Sequence, residues 1–282
     1  MTQLDSGLPA AATILMCPPD YFEVTYAINP WMTPESGCDA RLAMQQWQTL
    51  KQTIESTGAS VEILPPQPQL PDLVFTANAA FVYNNTAIVA SYKHPERQPE
   101  EAHAEHWFKT NGFDTHRVQQ GVYFEGAGDA LIWRHPQTQE KLVFAGYRSR
   151  TDIASHAMIT ELTGLPVLAL ELANPKFYHI DVTLCPTQTG HLIYWPGAFD
   201  DYGRQVIESH VPEQYRIVVD DDEAARFACN TVSINEHVIF NQGSVKLAEK
   251  AKAAGLTPHM VDLSEFLKAG GSSKCLTLHV GR

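Results

Sequence analysis

Apolar residues along the chain occur in paired runs, and a few turn-forming residues separate the two runs of each pair. Such a pair predicts a β-hairpin. Four hairpins are predicted in this way, at residues 77–91, 127–146, 179–197 and 228–243. Their starting points lie about fifty residues apart, so the pattern repeats along most of the chain.

The segment after each hairpin has the apolar spacing of a helix and then of one short strand. The predicted helices cover residues 97–111, 152–163, 203–210 and 244–255, and the strands after them cover 116–119, 167–172, 216–220 and 259–263. A fifth unit forms if the chain ends pair, with strand 274–280 beside strand 13–18, then helix 38–58 and strand 60–64. The sequence therefore predicts an α/β fold, a closed ring of five ββαβ units. The alternative is a mixed α/β domain whose elements alternate at this spacing by chance.

The length and composition indicate a folded chain with one extended core. The chain has 282 residues, 44% of which are hydrophobic, enough to form an extended core. The predicted ring makes residues 1–282 a single domain, in which residues 1–11 form a flexible tail. The longest apolar run near the start, residues 10–16, is shorter than the roughly 20 residues that span a bilayer, and no basic segment precedes it. These features argue against a protein that is inserted in a membrane or secreted.

Charge and cysteine usage narrow the class further. The chain has 20 Lys and Arg against 32 Asp and Glu, a formal charge of −12 that repels phosphate backbones and argues against a nucleic-acid partner. Five scattered cysteines without a CxxC pair are typical of the reducing cytoplasm. Among twelve histidines, only His103 and His106 are close in sequence, and no partner stands at zinc-site spacing, so no metal site is predicted.

Reactive side chains recur at the starts of the predicted hairpins. These residues are Asn78, Glu125, His179, Cys229 and Cys275. In a ring, equivalent strand ends converge on one axis, so we expect the five side chains to meet in one pocket. Cys, His and Glu are the residue types needed for a nucleophile, a general acid/base and the recognition of a cation.

Cys275 is the candidate nucleophile. It follows two glycines and stands beside Lys274, whose positive charge favours a thiolate. A bound cationic substrate would favour the thiolate in the same way. The alternative is a buried cysteine in a strand, an interpretation that suits Cys17, Cys185 and Cys229 better.

His179 and Asp181 are predicted to lie on a strand, where residues two apart point to the same face. A carboxylate beside an imidazole orients it and raises its pKa, as a proton shuttle requires. Two arginines, Arg97 and Arg150, stand at the starts of predicted helices, where each can clamp a carboxylate through two hydrogen bonds. The alternatives are a surface His–Asp pair and two solvated surface arginines.

Five segments together carry a family resemblance. The runs CPPDYFEVTYAINPWM, PDLVFTAN, FEGAGDA, FYHID and GGSSKCLTL, in this order between Cys17 and Leu278, resemble the guanidine-modifying enzymes. These are arginine deiminases, dimethylarginine dimethylaminohydrolases, amidinotransferases and arginine dihydrolases. The chain is most similar to the catalytic domain of cyanobacterial-type arginine dihydrolases, which shares INPWM, FTAN and EGAGD. The resemblance implies a five-bladed α/β propeller with pseudo-fivefold symmetry, in agreement with the predicted ring.

The resemblance also implies a role for each candidate residue. Cys275 matches the nucleophile, His179 the general acid/base and Glu125 the carboxylate that grips the guanidinium, while Asp181 matches a second acid facing the same group. The positions implied for binding the amino-acid end of the substrate are Arg97 and Arg150 for its carboxylate, and Asp72 and Asn29 near its α-amino group. No cofactor is implied, because a nucleophile, an acid and water are sufficient.

The sequence departs from deiminases and dimethylaminohydrolases in two ways. They generally carry Asp where this chain has Asn78, and they usually lack the extra Ala127 of EGAGD. An Asn amide can donate to the ureido oxygen of citrulline, whereas Asp repels it, so citrulline would stay and react again. The predicted function is therefore an arginine dihydrolase that converts L-arginine to L-ornithine, carbon dioxide and two ammonia. Alternatives are a deiminase, a dimethylaminohydrolase or a non-catalytic propeller-fold binding protein, and a homo-oligomer is left open.

Overall fold

A computed structural model describes residues 12–281 of the protein, and the predicted tail at residues 1–11 lies outside the described residues. The strands of the described part, in chain order, are β1 (Thr13–Met16), β2 (Ser60–Ile63), β3 (Ala80–Tyr83), β4 (Thr86–Val89), β5 (Asp114–Arg117), β6 (Ala130–Arg134), β7 (Lys141–Tyr147), β8 (Val167–Glu171), β9 (Leu184–Pro186), β10 (Leu192–Tyr194), β11 (Arg216–Val218), β12 (Val232–Ile234), β13 (His237–Asn241), β14 (Thr257–Val261) and β15 (Leu278–His279). The α-helices are α1 (Ala40–Ser56), α2 (Glu100–Thr110), α3 (His156–Thr163), α4 (Asp201–His210), α5 (Asp221–Ala224), α6 (Val245–Ala253) and α7 (Ser264–Leu267).

These strands form five three-stranded sheets with one shared topology. In four sheets an antiparallel hairpin is followed by a helix and by a third strand parallel to the second, as in β3, β4 and β5. The fifth sheet joins the two ends of the chain, because β15 pairs antiparallel with β1, and β1 pairs parallel with β2. The predicted ring of five ββαβ units is confirmed.

Local chemistry explains why the hairpins and helices form where they do. Asn84 and Asn235 both have φ of 52° at hairpin turns, a left-handed conformation that Asn tolerates better than most residues. Helix α1 places Ala43, Trp47 and Leu50 on one buried face, the spacing of an amphipathic helix. Within residues 12–281, no helix combines the length and the apolar character needed to cross a bilayer.

Three of the predicted strands outside the hairpins begin at other residues in the structure. One of them, 259–263, is β14, which begins two residues earlier, where Thr257 pairs with His237. Residues 274–277 are not strand: Thr277 Oγ1 donates to the carbonyl of Ser273, and this local bond stabilises a turn before β15. The predicted strand at residues 116–119 is instead β5, two residues earlier, because Thr86 of β4 pairs with Asp114 and fixes the register. The turn matters for the site, since it carries Cys275.

Short turns precede the first strands of the units and lie at or next to the residues predicted to meet at the ring axis. In three units the turn is a 3-10 helix, at Thr76–Asn78, Gly126–Gly128 and Ile180–Val182. All nine of these residues are buried. The five segments that enter the hairpins therefore meet inside the ring.

Candidate active site

Four of the five side chains predicted to converge do meet at the axis. His179 Nε2 lies 2.7 Å from Glu125 Oε2, and His179 Nδ1 lies 3.4 Å from Asn78 Nδ2. Cys275 joins them from the last unit and lines the same cavity as Asn78. Each of the four side chains is at most 2% exposed.

The fifth position is occupied by Asn230, so the prediction for Cys229 is wrong. Cys229 is fully buried in an apolar cluster with Ala228 and Val238. Its neighbour Asn230 points to the axis, where Nδ2 lies 3.1 Å from Cys275 Sγ. The roughly fifty-residue spacing could not separate these two adjacent positions.

Cys275 is buried, and its close contacts at the axis are with Asn230 and Asp181. Its backbone N–H donates to Asn230 Oδ1 at 3.1 Å, and its Sγ lies 3.6 Å from Asp181 Oδ2. Burial, reinforced by the Asp181 carboxylate, raises the pKa of the Cys275 thiol above its ordinary value. Lys274 lowers the pKa of Cys275, as predicted, but burial and Asp181 outweigh it.

The carboxylate that orients His179 is Glu125, and the interpretation of Asp181 as its partner is corrected. Residues 180–182 form a 3-10 helix, so strand alternation does not apply, and Asp181 lies against Cys275 instead. Burial alone would raise the pKa of Glu125, but Arg150 and the His179 hydrogen bond lower it to about 2. Burial raises the pKa of Asp181 to about 7, against the effect of Lys274.

The amide of Asn78 has a defined direction. Its Oδ1 accepts from Arg97 Nη1 at 2.8 Å, so its Nδ2 faces the backbone carbonyl of Glu125 and His179 Nδ1, both at 3.4 Å. In the neutral form of His179, Nδ1 is then the acceptor, and Nε2 carries the proton and donates to Glu125. Asn78 therefore presents a donor to the site.

Both arginines are buried, each 3% exposed, so the surface alternative is wrong. They lie in the loops before α2 and before the 3-10 helix Ile153–Ser155, not at helix starts. Each binds a carboxylate of the protein itself. Arg97 donates to both oxygens of Glu100, at 2.9 and 2.8 Å, and Arg150 Nη1 donates to Glu125 Oε2 at 3.1 Å.

A small cavity adjoins this cluster. It is lined by Ile28, Asn29, Met32, Asp72, Phe75, Asn78, Arg97, Arg150, Tyr178, Ala269 and Cys275. Its volume of about 10 Å³ holds roughly one water molecule, so an amino acid can enter only if lining residues move. The lining contains all four residues predicted to bind the amino-acid end of a substrate. Among residues 12–281, no group of three or more His, Cys, Asp and Glu side chains is arranged to hold a metal ion.

Asp72 carries an unsatisfied acceptor at this cavity. Its Oδ2 accepts from Tyr26 Oη at 3.0 Å, whereas the buried Oδ1 has no hydrogen-bond partner in the described part of the chain. Burial raises the pKa of the Asp72 carboxyl, and Arg97 opposes that rise. A buried carboxylate oxygen without a donor is suited to a cationic group of a ligand.

Asp129 supports the turn that carries His179. Its Oδ1 accepts from the backbone N–H of Ile180 at 3.0 Å, and burial raises its pKa to about 6. The folded state binds the Asp129 proton more tightly than the unfolded state does, so the protonated carboxyl stabilises the fold. This stabilisation is complete below the pKa that Asp129 has in the unfolded state, and it is lost as pH rises through about 6. As the pH rises from about 4 to about 7, we expect the free energy of unfolding to decrease less for Asp129→Asn than for the parent. Urea titrations at both pH values measure this, and equal losses would contradict it.

Gly128 leaves room for the contact between Asn78 and His179. A Cβ at this position would lie 2.2 Å from Asn78 Nδ2 and 3.3 Å from the His179 ring. We expect Gly128→Ala to lower activity roughly 100-fold, because the two side chains are pushed out of place. Gly281→Ala is the control, since its backbone is not left-handed and the new Cβ would meet only Thr13 N, at 3.5 Å. Initial rates of ammonia release from arginine, the substrate that the sequence resemblance implies, measure both variants, and an active Gly128→Ala variant would refute this interpretation.

A five-unit ring with buried Cys, His and Glu side chains at its axis defines the class of guanidine-modifying propellers. The chain belongs to the dimethylarginine dimethylaminohydrolase family, since the family model described as N,N dimethylarginine dimethylhydrolase, eukaryotic, matches residues 28–282. The resemblance found in the sequence is thereby confirmed, as is the predicted class of hydrolase. The roles of individual residues stay predictions.

Two curated relatives and two solved structures are similar to this chain. The bifunctional arginine dihydrolase/ornithine cyclodeaminase ArgZ of Synechocystis sp. is 42% identical over 95% of this chain, which spans only 37% of that protein's length. The dimethylarginine dimethylaminohydrolase of Mycobacterium tuberculosis is 38% identical over 96% of this chain and 87% of its own. Two crystal structures of the ArgZ N-terminal domain match with a TM-score of 0.91 and 41% identity, over 96% of this chain and 98% of theirs. One is a Cys-to-Ser variant bound to substrate, and the other an Asn-to-Ser variant covalently bonded to a reaction intermediate.

Proposed function

We propose that the protein is an arginine dihydrolase, which converts L-arginine and two waters to L-ornithine, carbon dioxide and two ammonia. The observation that carries the proposal is the direction of Asn78: Arg97 holds its oxygen, so its NH₂ group faces His179 and the backbone carbonyl of Glu125. The similarity to ArgZ, whose name includes arginine dihydrolase, supports it. The structure of the ArgZ domain that is covalently bonded to a reaction intermediate supports a covalent mechanism.

The first hydrolysis begins with the guanidinium of arginine beside Glu125, which is ionised at neutral pH. The cation favours ionisation of Cys275, whose thiolate attacks the central guanidinium carbon and forms a C–S bond. Protonated His179 donates its Nε2 proton to the departing nitrogen and becomes the neutral imidazole, and ammonia leaves. Water, deprotonated by the same His179, attacks the thiouronium carbon, and expulsion of the thiolate gives citrulline.

The second hydrolysis needs citrulline to stay in place, and Asn78 provides for this. The ureido group carries one oxygen acceptor and NH donors, and the Asn78 amide can bind it from its NH₂ side. A carboxylate at this position accepts only, so it would repel the ureido oxygen and favour release. Repetition of the thiolate attack then releases the second ammonia, and hydrolysis of the remaining adduct gives ornithine and carbon dioxide.

The amino-acid end of arginine is proposed to occupy the small cavity. Asp72 offers its unpartnered Oδ1 to the α-ammonium group, with Asn29 beside it. Arg97 and Arg150 receive the α-carboxylate, a role supported by their places in the lining. The Asn29 side chain donates to the carbonyl of Ala269 at 3.1 Å, and this contact must open for the substrate to enter.

A dimethylarginine dimethylaminohydrolase is the second candidate, favoured by the family model and by the mycobacterial relative. The reaction with added citrulline distinguishes a dihydrolase from a dimethylaminohydrolase. A dihydrolase releases ornithine and ammonia from added citrulline and acts faster on arginine than on dimethylarginine, whereas a dimethylaminohydrolase leaves citrulline unchanged. We expect ornithine from citrulline by mass spectrometry, and its absence at high enzyme concentration would overturn the proposal.

We further propose that the enzyme works in the cytoplasm. All five of its cysteines are free thiols, which fits a reducing compartment.

A further inference from the structure

The fourth unit contributes a side chain that binds the nucleophile directly. Asn230 is fully buried and makes three side-chain hydrogen bonds, each of 3.1 Å. Its Oδ1 accepts from the backbone N–H of Cys275, and its Nδ2 donates to the backbone carbonyl of Asp181 and to Cys275 Sγ. Every polar atom of this amide is therefore used at the site.

The direction of the amide follows from its partners. The Cys275 N–H can only donate, so it must meet Oδ1, and the Asp181 carbonyl can only accept, so it must meet Nδ2. The second hydrogen of Nδ2 is then directed at Sγ, and the sulfur is the acceptor. The thiol hydrogen is left to point at Asp181, whose Oδ2 lies 3.6 Å from Sγ.

Asn230 is also held firmly at its backbone. Its carbonyl accepts from Ser273 Oγ at 2.6 Å, and the same hydroxyl lies 2.8 Å from the carbonyl of Ile239. Its N–H donates to the carbonyl of Phe227 at 3.0 Å. The donor aimed at the sulfur is thus preorganised and loses little entropy when the thiolate forms.

We propose that Asn230 is a further catalytic residue, whose amide donates a hydrogen bond to the Cys275 thiolate and holds it for attack on the guanidinium carbon. This rests on the proposed function insofar as Cys275 is the nucleophile. On ionisation the thiol proton passes to Asp181, the electron pair stays on sulfur, and the Nδ2–H bond to sulfur is kept. Burial raises the pKa of Cys275 and Asp181 raises it further, whereas the hydrogen bond from Asn230 acts in the opposite direction and favours the thiolate.

The test measures how the alkylation of Cys275 by iodoacetamide depends on pH, without substrate. Trypsin cuts after Lys274 and places Cys275 alone in the peptide 275–282, so mass spectrometry reports its modification separately from the other cysteines. The variants are Asn230→Ala and Asn230→Asp. The second keeps the size of the side chain and the acceptor for the Cys275 N–H, but replaces the donor that faces Sγ by an acceptor. Asn241→Ala is the control, because this buried Asn bonds only to the backbone of Arg226 and Leu263.

We expect the midpoint of the pH–alkylation curve to move to higher pH in both Asn230 variants and to stay in place in Asn241→Ala. We also expect kcat/KM at neutral pH to fall about 10- to 100-fold, as for loss of a hydrogen bond to a charged group, with KM little changed. Thermal unfolding establishes that the variants are folded. An unchanged midpoint in folded Asn230→Ala and Asn230→Asp would overturn the proposal. The result does not depend on whether the product is ornithine or citrulline, so the two proposals fail separately.

Discussion

Cys275→Ala is expected to lower the rate of ammonia release from arginine roughly 10⁴-fold or more, the scale seen when the nucleophile of a covalent mechanism is removed. No other cysteine lies at the axis in the described part of the chain. The side chain is small and buried, and its backbone bond to Asn230 does not depend on the sulfur. The variant should therefore fold and bind arginine without turning it over.

Cys229→Ala is the matched control for this experiment. Cys229 is as buried as Cys275 but sits in the apolar cluster with Ala228 and Val238. We expect its loss to cost about 1 kcal/mol of stability and to leave the rate within a few-fold of the parent. A Cys275→Ala variant that still released ammonia at more than a few per cent of the parent rate would rule out this cysteine as the nucleophile.

Asn78→Asp is expected to change the product of arginine hydrolysis from ornithine to citrulline. The new carboxylate keeps the bond from Arg97 Nη1, so the site remains folded around it. It cannot donate, however, and it repels the ureido oxygen, so citrulline leaves before the second attack. We expect the ratio of ornithine to citrulline to fall by about tenfold or more, the effect of roughly 1.4 kcal/mol in favour of release.

Asn85→Asp is the control for the added charge, because Asn85 is exposed at the hairpin turn of the same unit. Liquid chromatography with mass detection, sampled during the reaction, follows both products. Ornithine formed by Asn78→Asp at the parent's ratio would show that the amide does not decide the outcome, and the second hydrolysis would then need another explanation.

The ring could be predicted because each unit is encoded locally. Turn residues such as Asn84 and Asn235 stand between apolar runs, and the closing pair of β1 with β15 follows once four units are counted. The convergence of Asn78 and His179 followed from the same repeat, since both precede the first strand of a unit. Regular spacing along the sequence can therefore predict which position of each unit lies near the ring axis.

What the sequence could not give is the direction of side chains in the turns. Asn230 and its neighbour Cys229 fit the repeat equally well, and only the packing of the fourth unit decides which one faces the axis. Strand alternation predicts that Asp181 lies beside His179 on one face, but the backbone there is a 3-10 helix. The burial of Arg97 depends on Glu100 and on contacts with Asp72 and Tyr92, which no local pattern encodes.

The most direct test of the central claim is the stoichiometry of products from arginine labelled with ¹³C at the guanidino carbon and ¹⁵N at its two terminal nitrogens. The account predicts unlabelled ornithine, ¹³C-labelled carbon dioxide and two labelled ammonia for each arginine consumed, with citrulline only as a transient. Labelled citrulline as the final product, with one ammonia for each arginine, would contradict it and identify a deiminase.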